Sequence, residues 1–214
     1  MRTIHASLLA ALLLCPLTAF AGDDPEAGAV QPTDAAAKAE AIAFLQSRDL
    51  GVSFDQLQMS AIEGKPDEVE ALIAAGVDPN AGDAADSPLV GAMHGCSSEG
   101  ETEVVMATVA ALLKGGADVK RADDNKNTPL MTAAQFCGPG VIGQLLEAGA
   151  DISPRNGSGM TPLSLAMIMS HWEAAEALIE KGARLTDSEA QIVANSVSDE
   201  RVKGILKKAT AKKN

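Results

Sequence analysis

Apolar residues along this chain fall into paired helical stripes, and the pair recurs four times. In each first stripe a leucine (Leu57, Leu89, Leu130, Leu163) is followed by a small residue, Ala61, Ala92, Ala134 or Ala166. The second stripes are Val69-Leu72-Ile73, Val109-Leu112-Leu113, Ile142-Leu145-Leu146 and Ala175-Leu178-Ile179. Residues three and four apart share one helix face, so every unit predicts two short helices with facing apolar sides. The small residues let neighbouring helices approach. Each second stripe runs into a glycine: Gly76-Val77-Asp78, Gly116-Ala117-Asp118, Gly149-Ala150-Asp151 and Gly182-Ala183-Arg184. A glycine there takes the left-handed conformation that ends a helix.

Start signals stand upstream. In Thr128-Pro129 and Thr161-Pro162 a hydroxyl caps a helix, and proline occupies the first helical position, where no donor is needed. Ser87-Pro88 uses the same chemistry, and Asp55 is expected to cap without a proline behind it. The capping position precedes the glycine by 21 residues in three units and by 29 in the second. The last two glycine-to-glycine steps are 33 residues. Burying one Leu or Ile contributes about 1.5–3 kcal/mol, which one unit alone cannot turn into stability and a stack can.

A 33-residue period with T-P-L at its start and G-A-D after the second helix resembles ankyrin repeats. The resemblance covers residues 55–186 as four repeats. It implies an all-α solenoid of helix-turn-helix units joined by short hairpin loops. It also implies a concave face built from hairpin tips and first helices, and binding of another protein. The His that follows T-P-L in the family is Gln58, Val90, Met131 and Ser164 here, so the residue that staples neighbouring loops is replaced.

The flanks read differently. Met1-Arg2, the apolar run Leu8 to Leu14 and Ala19-Phe20-Ala21 form a cleavable signal peptide over residues 1–21. Cys15 follows Leu14, which is too large for lipoprotein cleavage. The reading is of an exported, bacterial-type protein, periplasmic or secreted. Residues 22–33 lack periodicity and read as a disordered linker. Asp34 is expected to cap an alanine-rich helix running to about Asp49, with Ala41, Ile42 and Leu45 on its apolar face. Residues 34–54 then cover the open end of the first repeat. Residues 187–209 read as a degenerate C-terminal capping repeat, with amphipathic segments around Ile192-Val193 and from Val202 to Leu206. Arg184, where Asp is usual, agrees with that end position. Residues 210–214 are a basic tail.

The formal charge is −12, and residues 22–200 carry 10 Lys and Arg against 29 Asp and Glu. Such a body repels phosphate backbones, which argues against nucleic acid and for a partner with a basic contact face. No other apolar run is long and clean enough to cross a membrane. The chain has no Tyr and one Trp, so a binding surface must use other anchors than the usual aromatic ones.

The second repeat is eight residues too long, with the excess around Cys96 to Thr102. A long loop on a regular scaffold is either functional or a tolerated insertion, and length alone does not separate the two. Cys96 and Cys137 both lie nine residues after their caps, at the same height in adjacent repeats. An exported chain with two such thiols is expected to form a Cys96–Cys137 disulfide, worth about 3–4 kcal/mol. The insertion supplies slack to close the gap. A reactive-thiol reading is weaker, because Cys137-Gly138-Pro139-Gly140 is not C-x-x-C and no cation flanks it.

Motifs for chemistry are missing. Asp123 to Asn127 imitates the start of a calcium loop, but Thr128 and Ala134 stand where Gly and Glu are needed. His94 and His171 have no metal-ligand partner four residues away. No nucleophile-elbow, phosphate-loop or dinucleotide fingerprint occurs. The expectation is a monomeric, non-enzymatic protein with no cofactor and no metal.

Positions seven and eight after each cap should face the groove: Ile62 and Glu63, His94 and Gly95, Gln135 and Phe136, Ile168 and Met169. Hairpin tips add Phe54, Asp86, Asp124, Asn125, Asn127 and Met160. An exposed apolar row with an acidic rim is the pattern of a protein interface. The alternative keeps Ile62 and Phe136 tucked under their hairpins as core. Two roles follow from the resemblance. One is an antagonist, of the immunity type, of a toxin or envelope enzyme. The other is a structural or protective accessory to an envelope component such as a peroxide-defence enzyme.

Overall fold

Hydroxyl caps set the rhythm of the structure, a computed structural model that describes residues 34–96, 103–196 and 201–210, and only the backbone at 201 and 202. The signal peptide, the linker, most of the insertion and residues 211–214 lie outside the described residues. The described residues form helices and loops with no strand: α1 (Asp34–Gln46), α2 (Phe54–Ile62), α3 (Pro66–Ala74), α4 (Pro88–Met93), α5 (Glu103–Lys114), α6 (Pro129–Phe136), α7 (Pro139–Glu147), α8 (Pro162–Ile168), α9 (Trp172–Glu180), α10 (Asp187–Ser196) and α11 (Arg201–Thr210).

Ser87, Thr128 and Thr161 cap α4, α6 and α8, each accepting the backbone N–H three residues on. At α8 the bond is reciprocal, because Ser164 also accepts from the Thr161 N–H at 2.8 Å. The first repeat differs from expectation. Its cap is Ser53, whose hydroxyl accepts from the Gln56 N–H at 3.2 Å, and not Asp55. No proline fixes the start of α2, so the helix gains a residue pair at its beginning. Asp55 then lies in the first turn, where its charge suits the helix dipole. Phe54 becomes the first helical residue and not a hairpin tip. Asp34 likewise lies inside α1 and not before it. That helix ends at Gln46, short of Asp49, because Asp49 turns left-handed at φ 59° and the Leu50 N–H bonds back to the Leu45 carbonyl.

The helices stack in two rows. First helices α2, α4, α6, α8 and α10 pack in succession, and second helices α1, α3, α5, α7, α9 and α11 do the same. The four stripe leucines and their four alanines are all buried, and so are Val69, Leu72, Val109, Leu112, Ile142, Leu145, Ala175 and Leu178. Helix α1 packs on α3. No first helix precedes α2 among the described residues, and this leaves Met59 half-exposed at the N-terminal end of the row.

The turn after each second helix explains the G-x-D sequence. Gly76, Gly116, Gly149 and Gly182 have φ between 87° and 107°. The next N–H then reaches back, as from Val77 to the Leu72 carbonyl at 3.0 Å. Asp78, Asp118 and Asp151 each accept the N–H two residues on, holding the loop that follows. Arg184 cannot do that, and donates to the Ile179 carbonyl at the end of α9 instead. The last two helices open with a second reciprocal cap. Thr186 N–H and Oγ1 donate to Glu189 Oε2, and Glu189 N–H donates back to Thr186 Oγ1.

Candidate functional site

The C-terminal ends of the first helices place three apolar side chains in solvent. Ile62, Phe136 and Met169 are 43%, 50% and 50% exposed, which decides against their being core. The stacking of α2, α4, α6 and α8 puts them on one row, with exposed His94 between Ile62 and Phe136. Room for this row comes from missing side chains. A Cβ on Gly91 would lie 3.0 Å from Ile62 Cγ1, so Ile62 lies across α4. A Cβ on Gly95 would lie 2.8 Å from Val105 Cγ2, so the turn after α4 sits tightly on α5.

The other expected contact residues divide into free and engaged. Asp86, Asp124 and Asn125 are exposed, and Glu63 is exposed but engaged, with Lys65 Nζ 2.6 Å from its Oε2. Ile168 is half-buried and packs on the core, because the helical turn directs it inward where Met169 points out. Gln135 is half-buried and donates to the Met131 carbonyl. Phe54 is half-buried, and a Cβ on Gly82 would meet its ring at 2.9 Å. Met160 is half-buried, with its N–H on Asn156 Oδ1. Asn127 is spent within the scaffold: its N–H and amide donate to Asp123, and its Oδ1 accepts from Asn156 at 2.9 Å. The Asn125 carbonyl also accepts, from the Gly157 N–H at 2.7 Å. These bonds tie the loop before α6 to the loop before α8.

Gln58, in the place of the expected His, donates to the Asp86 carbonyl at 2.7 Å and so links α2 to the loop before α4. Arg121 donates to the carbonyls of Asn80 and Gly82, joining two more loops. Sequence reasoning missed four exposed apolar residues, Val52, Met59, Val104 and Ile192. It could have found Met59 by noting that no first helix precedes α2.

Cys96 and Cys137 have Sγ atoms 2.05 Å apart and Cα atoms 5.1 Å apart, a disulfide. The bridge joins the turn after α4 to the end of α6, next in sequence to Gly95 and Phe136. It brings two helix ends closer than the usual interaxial spacing of roughly 8–10 Å.

Among the described residues no group of three His, Cys, Asp or Glu could hold a metal ion. Asp123, in the calcium-like segment, has both carboxylate oxygens engaged by Asn127. No described helix is long and apolar enough to cross a membrane. Two grooves lie along the second-helix row. One, of about 320 Å³, is lined by Trp172, Ile205 and the Lys208–Glu176 ion pair. The other, of about 290 Å³, is lined by Ile73, Ala111 and the Lys114–Glu70 pair. Neither converges polar groups on a point, as a small-molecule site does. One carboxylate is notably perturbed. Burial pushes Glu189 up, but bonds from the Thr186 N–H and hydroxyl, with the charge of Arg155, hold it below the usual carboxylate range.

A family model described as ankyrin repeats (3 copies) matches residues 57–156 and 106–189. No curated protein matches the chain.

Proposed function

The chain belongs to the ankyrin repeat family, whose members are protein–protein interaction modules and typically not enzymes, and on that premise we propose that its partner docks on the first-helix row through Ile62, Phe136 and Met169. The exposure of these three apolar side chains on a strongly acidic body carries the reading. A single exposed apolar residue is ordinary, but a row of them is the mark of an interface. Exposed Asp86 and Asp124 form the rim, so the partner presents a basic face around an apolar centre.

The location we propose is the cell envelope or beyond. The N-terminal signal-peptide pattern supports it, as does the Cys96–Cys137 bridge, since disulfides persist in oxidising compartments. Within that setting the finer proposal is antagonism of a toxin or envelope enzyme, by steric cover of its basic surface.

The test is capture of envelope proteins on the immobilised chain, run beside Phe136→Asp/Met169→Asp. The reading requires a protein held by the wild type and lost from the double variant, with helical circular dichroism unchanged. Equal retention by a folded double variant refutes the site.

A further inference from the structure

The disulfide is asymmetric in its surroundings. Cys137 is buried, with its Sγ 3.8 Å from the Met93 carbonyl oxygen. Helix α6 is anchored by Leu130, Met131, Ala133 and Ala134, all fully buried. Cys96 is half-buried and follows α4, a helix of six residues. Among the described residues the backbone bonds of its turn run back to α4 (His94 N–H to Gly91, Gly95 N–H to Ala92 and Cys96 N–H to Met93), and its other hold is the packing of Gly95 on Val105 and of Cys96 on the core. Two thiols without a bond need van der Waals separation, which a side-chain rotation supplies or a parting of the ends of α4 and α6. Where a helix end yields, the short turn has less holding it than the buried α6. That turn carries His94, the residue between Ile62 and Phe136 on the row.

We propose that the Cys96–Cys137 disulfide is a redox-operated clamp on the middle of the first-helix row, opened from the Cys96 side. The effect on partner binding rests on the proposed function; the opening itself does not. The co-reactant is a thiol or dithiol. Its thiolate attacks the Sγ of Cys96, the less buried of the two cysteines, and forms a mixed disulfide. The Cys96–Cys137 bond breaks, its electron pair leaves on the Cys137 sulfur, and that sulfur takes a proton from water. A second thiolate then attacks the co-reactant's sulfur in the mixed disulfide and releases Cys96 as a thiolate. The co-reactant ends as a disulfide and the two cysteines as thiols.

The test uses the folded full chain and glutathione, quenched by acid and mapped by mass spectrometry. The clamp requires the glutathione adduct on Cys96 with a free thiol at Cys137. An adduct on Cys137, or none until the chain unfolds, overturns it. Amide hydrogen exchange of the reduced chain is the second measurement. The His94, Gly95 and Cys96 amides should lose protection by about tenfold or more, while those of Cys137 and His171 hold. Uniform loss along all repeats would make the bond a global staple, and unchanged protection at His94 to Cys96 would remove the clamp. Cys96→Ser/Cys137→Ala should reproduce the reduced pattern if it folds, and reduced wild type supplies the answer if it does not. Both readouts are partner-free. Partner capture that survives Phe136→Asp/Met169→Asp therefore sinks the docking row without touching the clamp.

Discussion

Arg155 Nη1, in the loop between α7 and α8, lies 3.1 Å from Oε1 of Glu189, a buried carboxylate on α10. The pair fastens the last helix pair to the loop of the preceding repeat. Glu189 Oε2 is already held by Thr186, so Arg155 supplies the charge that the other oxygen faces.

This arrangement gives stability a definite pH dependence. Burial alone would raise Glu189, but the Thr186 bonds and Arg155 outweigh it, so the folded value lies below the unfolded one. The unfolded chain therefore binds the proton more readily. The contribution of Glu189 is fully present above the ordinary carboxylate range and is lost as pH falls through the lowered folded value. Glu189→Gln should lower the thermal midpoint at pH 7, and the gap to wild type should close as pH drops below about 4. A gap that stays constant with pH would show that the carboxylate's charge is not what matters.

A second buried carboxylate sits near the other end. Glu68 on α3 accepts the Ser60 hydroxyl at 2.9 Å, with Arg48 at 3.4 Å and Lys65 at 3.8 Å. Arg48 also stacks 4.4 Å from the Phe44 ring centroid, so the network joins α1 to the first repeat. Ser60→Ala removes a donor to a buried charge and should cost about 1.5–3 kcal/mol. Urea denaturation should show this as a lower midpoint with an unchanged slope. In a Glu68→Ala background the same substitution should cost less, and additive losses would mean that the two side chains do not interact.

The difference between these two networks and the repeats shows what sequence can and cannot carry. Stripe spacing and glycine turns are local, so the four leucines, four alanines and four glycines were legible at once. Ser53 was not, because the period pointed to Asp55 and nothing local distinguishes a cap from a first-turn acid. The burial of Glu68 and Glu189 was not legible either, since their charge partners Arg48 and Arg155 lie far away in sequence. Asn127 read as free for the same reason: its partner Asn156 lies in the next loop. The pairing of Cys96 with Cys137 was legible because equal offsets in adjacent repeats become neighbours in space. The row of Ile62, Phe136 and Met169 was legible on the same logic, and Ile168 escaped it because one residue of helical rotation turns a side chain inward.

Two neighbouring kinds of glycine should respond differently to a methyl group. Gly149 has φ 91° and nothing within 4 Å of a Cβ, so Gly149→Ala meets backbone strain alone, roughly 1–2 kcal/mol. Asn tolerates the left-handed region, so Gly149→Asn should recover part of that loss. At Gly115 φ is ordinary, but a Cβ would lie 2.4 Å from Ile73 Cδ1. Gly115→Ala should be relieved by Ile73→Val, and Gly115→Asn should recover nothing. Thermal midpoints of the five variants decide between strain and crowding. An equal loss for Gly149→Ala and Gly149→Asn would contradict the conformational account.

The exposed row and the core beneath it separate most sharply at two consecutive residues. Met169 is half-exposed at the end of α8, and Ile168 packs against the core. Charge at the first should cost almost nothing in the free protein, and charge at the second must be desolvated or force the helix end open. Phe136→Asp/Met169→Asp should therefore keep stability within about 1 kcal/mol, twice the usual surface allowance for one site. Ile168→Asp should cost more than about 2 kcal/mol. Trp172 is the sole tryptophan and is buried at the start of α9, so its fluorescence follows unfolding next to both sites. A partner that binds through this row should lose affinity for the double variant at unchanged Trp172 unfolding midpoint. Against the acidic body its association rate should also fall as salt rises, since steering by exposed charges is screened. An association rate indifferent to salt would argue that the partner's face is not basic, even where the apolar row is the site.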